Sequence, residues 1–239
     1  MLLCDINCDM GEGIGNDAAI MPYVSSANIA CGYHAGTEHT MSNTILLAKK
    51  HRVNVGAHPS FFDPENFGRK EIRLTANELY ELVQKQLTML QSIAATHGIP
   101  LQHVKPHGAL YNLSAKDIGV ANAIAQAIKE FDSKLVLFGL SGSVSITAAQ
   151  KLGLATKSEV FADRTYRDDG SLTPRAEPNA LIENTSEAVD QVLQMVHKKN
   201  VKAITGKIIP VVAETICVHG DGKHAVEFAK AIHQALTRG

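Results

Sequence analysis

Strand-like and helix-like stretches alternate along the whole chain. Period-two or apolar runs predict strands at Leu2–Met10, Ala27–His34, Val53–Ser60, His103–Leu110, Leu135–Ser141, Ala155–Asp163 and Thr215–Gly222. Helical spacing fills the gaps. After Thr75, which forms a capping box with Glu78, the residues Leu79, Leu82, Val83, Leu87, Leu90 and Ile93 make one apolar stripe. Ile124 and Ile128 begin another, Val189, Val192, Leu193 and Val196 a third, and Val226, Ala229, Ile232 and Leu236 a fourth. A strand–helix rhythm of this kind predicts parallel strands joined by right-handed crossovers. Two segments depart from it. Arg164–Asn179 is polar and turn-rich, which predicts a long functional loop, and Val201–Val212 reads as a β-hairpin inserted before the last strand.

The strands themselves carry an unusual pattern. Parallel strands sandwiched between helices are normally apolar throughout. Here Cys4, Ile6, Cys8 and Met10 oppose Asp5, Asn7 and Asp9, and Ile29 and Cys31 oppose Asn28 and His34. His58 ends the third strand, and His103, Lys105 and His107 share a face of the fourth. Glu159 and Asp163 lie on one face of the sixth, as do Cys217, His219 and Asp221 on the seventh. An open doubly wound sheet and a closed barrel both fit about seven strands. A polar face recurring in six of the seven favours the barrel, because its interior opens at the carboxyl ends of the strands. Buried carboxylates, a lysine and imidazoles cost several kcal/mol unless they are paired or used. Their convergence at one mouth therefore predicts an active site for a small polar molecule. His51, His97, His197, His224 and His233 fall on helices and are read as surface residues.

The 239 residues suit a single α/β domain, and a net charge of −1 supplies no basic field for nucleic acid or a membrane surface. No apolar run is long enough for a membrane span, and Asp5 near the start predicts no secretion signal, so the expected location is cytoplasmic. The four cysteines form no CxxC pair and are expected to be buried free thiols. There is no GxxxxGK[ST], HExxH or GxSxG motif. Gly11-Glu12-Gly13-Ile14-Gly15 lacks dinucleotide spacing and reads as a turn. A metal, if bound, would draw on Asp5, Asp9, His34, His58 and His219, although their spacing does not specify a site.

Six stretches together resemble the LamB/YcsF family. They run Asp5–Glu12, Asn28–Gly36, Gly56–Pro59 with Phe67–Lys70, Val104–Asn112, Glu159–Tyr166 with Asp169-Gly170, and Ile216–Asp221. Thr37 stands where an aspartate is usual, Lys70 where a second arginine is usual, and Phe61–Asn66 and Glu177–Ala180 are atypical. The resemblance implies a seven-stranded (β/α) barrel of glycoside hydrolase/deacetylase type. It also implies ATP-dependent hydrolysis of 5-oxoproline to glutamate, with ATP as co-substrate, magnesium left open, and partner subunits B and C. Strand-end placement and residue chemistry make Asp5, Asp9, His58, Lys105, His107, Asp163 and His219 the expected catalytic residues. On the same grounds the expected substrate contacts are Asn7, Glu12, Asn28, His34, Arg69, Glu159, Arg164 and Asp221. Lys105 and Arg164 would meet phosphate and oxyanion, and the histidines would move protons. Two other readings stand beside it: a metal-dependent deacetylase or hydrolase, and a non-catalytic subunit that only presents substrate.

Overall fold

A computed structural model describes residues 2–222 and 224–237. The elements run β1 (Asp5–Met10), α1 (Asp17–Ile20), β2 (Ser26–Ala30), α2 (Glu38–His51), β3 (Asn54–His58), α3 (Ala76–Thr96), β4 (His103–Val104), α4 (Gly108–Lys116), α5 (Ile118–Phe131), β5 (Val136–Leu140), α6 (Val144–Lys151), β6 (Thr156–Phe161), α7 (Thr185–Lys198), β7 (Asn200–Lys202), β8 (Ile208–Pro210), β9 (Thr215–Val218) and α8 (Ala225–Thr237). Strands β1, β2, β3, β4, β5, β6 and β9 close into a parallel barrel, with β9 hydrogen-bonded to both β6 and β1. The antiparallel pair β7–β8 is the expected hairpin and lies outside the barrel.

The period-two pattern sorts the strand residues between two layers. Ile6, Cys8, Ile29, Val55, Val104, Val160 and Ile216 pack outward into a continuous core with Ile45, Leu87, Ile124, Val192 and Ile232 of the helices. Their polar neighbours Asn7, Asp9, Asn28, His103 and Glu159 are equally buried and fill the barrel interior. Helix starts follow local chemistry. Thr75 and Glu78 form the expected capping box on α3. Thr37 caps α2 by accepting from the Thr40 N–H, so it fills the role an aspartate would have there.

Several strand ends fall short of the sequence expectation. The largest difference is in β4, where Gly108–Leu110 begins α4 instead of extending the strand. The chain still follows β3 up to His107: the N–H groups of Lys105 and His107 donate to the carbonyls of Ala57 and Pro59. Pro106 lacks a donor, and Gly108 then turns with φ +51°. A Cβ on Gly108 would sit 2.6 Å from the Gly68 carbonyl oxygen, so this close approach of two backbones needs glycine.

Candidate active site

The carboxyl ends of the barrel strands surround a cavity of about 720 Å³, lined by Asp9, Glu12, His58, Lys105, His107 and His219 among others. That size falls in the ordinary range for small-molecule sites. The loop after β6 roofs one side and contributes Arg164, Arg167 and Arg175. The long loop foreseen at Arg164–Asn179 thus borders the site.

Lys105 is the floor. Its buried Nζ lies 2.9 Å from Asp9 Oδ1 and 2.9 Å from Glu159 Oε1, with Asn7 Oδ1 at 3.2 Å and Cys217 Sγ at 3.0 Å. Burial alone would push the ammonium toward neutrality, but the charges of Asp9 and Glu159 hold it protonated, with its pKa well above the usual lysine range. Beneath it, Asn7 donates to Glu159 and Thr215, and Asn28 donates to Asn7 and Asp9. His103 donates to Asn28 Oδ1 at 2.8 Å, and burial holds its pKa down to about 3.

Around this floor stand two imidazole groups. On one side, His58 Nδ1 donates to the Lys105 carbonyl at 2.7 Å, and its Nε2 lies 2.8 Å from His107 Nδ1 and 3.4 Å from Asp9 Oδ2. His107 Nε2 donates to the Phe67 carbonyl at 2.9 Å. His34 stacks flat on His107 and reaches Glu12 at 3.1 Å. Burial, then the charge of His58, pushes both His34 and His107 down, His34 to about 3. Burial and the neighbouring Asp9 and Asp221 raise the Glu12 carboxyl well above the usual range. Asp9 is also buried, yet His58 and Lys105 keep it well below that range.

On the other side, His219 Nδ1 lies 2.9 Å from both oxygens of Asp163. Burial would raise Asp163, but the charge and hydrogen bond of His219 lower it. In the neutral ring this carboxylate holds the proton on Nδ1 and leaves Nε2 free, the arrangement of an oriented general base. Arg69 donates to Asp221 at 2.7 Å on the rim.

Nine of the fifteen candidate residues line the cavity: Asp9, Glu12, His58, Arg69, Lys105, His107, Arg164, His219 and Asp221. Asp163 and His34 stand just behind it. Asp5 is a correction. It opens β1 at the opposite end of the barrel, where Ser25, Ser26 and Thr215 donate to it, so it reaches neither the mouth nor a metal there. Asn7, Asn28 and Glu159 are corrected as substrate contacts, because they are fully buried under Lys105 and off the cavity wall. Arg164 gives its donors to the carbonyls of Ala180 and Thr173, so it holds the roof loop in place. His219 does not join His34 and His58 as a ligand group; it belongs with Asp163, Asp9 and Cys217. Of the helix histidines, His97 and His233 are half-buried and bond to Ser42 and Tyr23, which ties helices to their neighbours. Sequence reasoning did not single out Tyr111 or Arg175. Tyr111 lay inside a family motif and Arg175 inside the long loop, and only the fold turns them into the cavity.

Fold and site together define a parallel (β/α)-barrel protein with a titratable site at the carboxyl mouth of its strands. The sequence profile of the LamB/YcsF family matches residues 4–239, and the chain belongs to that family. It is 52% identical to the A subunit of 5-oxoprolinase from Staphylococcus haemolyticus (strain JCSC1435), covering 98% of this chain and 96% of that one. It is 51% identical to the protein of the same name from Tolumonas auensis (strain DSM 9187 / NBRC 110442 / TA 4), covering 99% and 96%. The crystal structure of a lactam utilization protein from Thermus thermophilus superposes with a TM-score of 0.91 at 42% identity, covering 98% of this chain and 96% of that one. No helix among the described residues is long and apolar enough to cross a membrane.

Proposed function

We propose that this chain is the lactam-handling subunit of an ATP-dependent 5-oxoprolinase, working with partner subunits B and C to convert 5-oxo-L-proline to L-glutamate. The observation that carries the reading is the oriented His219–Asp163 pair at a cavity floored by the Lys105–Asp9–Glu159 ion cluster, in a chain about half identical to proteins named as that subunit. A five-membered lactam resists water because its amide resonance must be broken. Transfer of the ATP γ-phosphoryl group to the lactam oxygen makes the ring carbon electrophilic. Water then adds there as the ring C–N bond breaks, and a second water releases phosphate from the resulting acyl phosphate.

Each step asks for a group that the mouth supplies. His219 Nε2 takes a proton from water and returns it to the leaving nitrogen. Tyr111 lines the cavity, and burial and the neighbouring Glu159 hold its hydroxyl pKa well above the usual tyrosine range, so it stays protonated as a donor to a lactam or oxyanion oxygen. Arg69, Arg167 and Arg175 on the rim suit the substrate carboxylate and the phosphates of ATP. The cavity is larger than one lactam requires, which leaves room for the phosphoryl donor.

The test is glutamate release from 5-oxoproline with this chain alone and with its partner subunits, each with and without ATP. Turnover that needs both the partners and ATP supports the reading. Hydrolysis of N-acetylated substrates by this chain alone, without ATP, would replace it with the deacetylase reading.

A further inference from the structure

Two of the three imidazoles beside the floor share a feature that the reaction above leaves unused. His58 Nδ1 and His107 Nε2 each donate to a backbone carbonyl, at 2.7 and 2.9 Å. A carbonyl only accepts, so in each neutral ring the proton sits on that outer nitrogen. The inner nitrogens, His58 Nε2 and His107 Nδ1, then point lone pair at lone pair across 2.8 Å. Two lone pairs at that separation need a cation between them, either the proton of a charged His58 or a metal ion. Glu12 Oε1 faces the same point, 3.6 Å from His107 Nδ1. Its side chain is 5% exposed, and among the described residues only histidines lie within ion-pair reach of it. A buried carboxylate in that position is costly without a positive partner.

We propose that Glu12, His58 and His107 bind a divalent first-row transition-metal ion, with Asp9 Oδ2 beside it. Ligand atoms around an ion held at about 2.1 Å stand roughly 3.0 Å apart at right angles and roughly 3.4 Å apart in a tetrahedron. The observed 2.8, 3.4 and 3.6 Å separations bracket those values. Two imidazoles with a carboxylate select zinc, cobalt, nickel or iron over magnesium or calcium. Each ligating ring has its other nitrogen anchored to a carbonyl, the usual support for a metal-bound histidine.

His34 is a supporting residue, not a ligand. Its ring lies parallel to His107 at 3.8 Å, so an ion in the plane of one ring is out of the plane of the other. It braces Glu12 instead, and Ser60 holds its far nitrogen at 3.0 Å. Glu12, His58 and His107 all line the cavity, so one coordination position faces the substrate space, as in catalytic sites. A second cluster, Asp9, Cys217 and His219, is the competing location. There Cys217 is already in contact with Lys105 and Asp163 already holds His219.

The experiment strips the full chain with a chelator and titrates it with Zn²⁺ and with Co²⁺. Bound metal is counted by mass spectrometry, Co²⁺ is followed by its visible absorption, and histidine ring nitrogens are followed by NMR. One ion per chain is expected, with His58→Gln and His107→Gln each weakening binding at least tenfold and His219→Gln leaving it unchanged. His34→Gln weakens it about 10- to 100-fold as a loss of outer support. If the ligand variants fail to fold, Co²⁺-induced shifts of the His58 and His107 nitrogens in the unaltered chain decide the matter. A chain that takes up no ion and shows a proton shared between His58 and His107 overturns the proposal. So does binding that survives both ligand variants and disappears in His219→Gln.

Discussion

Asp163 holds His219 with both of its oxygens 2.9 Å from Nδ1, which leaves Nε2 as the free nitrogen of the pair. Replacing His219 by Gln removes the proton carrier and is expected to lower kcat about 10²- to 10⁴-fold with a much smaller change in KM. Asp163→Asn keeps the shape, but its amide N–H₂ favours the tautomer with the proton on Nε2. It should therefore lose about as much kcat as His219→Gln. ATP-dependent glutamate release by the reconstituted complex measures both. Full turnover in either variant with an unchanged melting temperature removes the pair from the chemistry.

Asp5 has the opposite status: a polar strand residue whose role is confined to the fold. Burial would raise its carboxyl, but the Thr215 hydroxyl, then the Lys157 charge and the Ser25 and Ser26 hydroxyls, bring it below the ordinary range. A carboxyl lowered by folding contributes stability above its unfolded value, near about 3.9, and loses it as pH falls through the folded value. Asp5→Asn should cost about 1–3 kcal/mol at neutral pH and flatten the decline of melting temperature below about pH 4. Specific activity of the folded fraction should be unchanged. A loss of turnover at full stability would place Asp5 in the mechanism after all.

The contrast between Asp5 and Asp9 shows how far sequence alone reaches. Period-two alternation put both on the inner face, and that was correct. It holds no information on height along the barrel axis, and four residues of rise separate the closed bottom from the open mouth. The barrel and the hairpin were legible because they rest on local periodicity and on one polar face that recurs from strand to strand. The pairings His219–Asp163 and His58–His107 were not, since they join residues 56 and 49 apart at the ends of neighbouring strands, where side-chain contact depends on tertiary register. The Lys105 contact with Cys217 was hidden for the same reason, 112 residues apart.

Gly56 bears on the interior from a different direction. A Cβ there would lie 2.2 Å from the His103 ring, and that ring is stacked between β3 and Phe138 and cannot swing clear. Gly56→Ala should destabilise by about 1–3 kcal/mol through overpacking. It should also reduce activity by moving His103 off Asn28, which positions Asp9. Because the clash requires both partners, Gly56→Ala with His103→Ala should cost less than the sum of the two single changes by more than about 0.5 kcal/mol. Urea unfolding of the four proteins in the cycle measures this, and strict additivity would show that the ring is free to move.

Lys105 tests whether the floor is an ion cluster or a neutral hydrogen-bond network. Its ammonium is 3% exposed and sits between Asp9 and Glu159, so two carboxylates share one positive charge that water does not reach. Lys105→Met preserves the side-chain bulk and deletes the charge. Two buried carboxylates then remain with no ammonium, and removing one partner of a buried pair typically costs about 3–5 kcal/mol. Adding Glu159→Gln removes one of those carboxylates while a carbonyl oxygen still accepts from Asn7 Nδ2, so the double variant should recover part of the loss. Glu159→Gln alone should be destabilising, because it takes a counter-charge from an intact Lys105. That reversal of sign between the two backgrounds belongs to an ion cluster. If Glu159→Gln lowers stability equally with Lys105 or Met at position 105, the lysine acts as a neutral donor and the floor carries no charge to hold a substrate oxyanion.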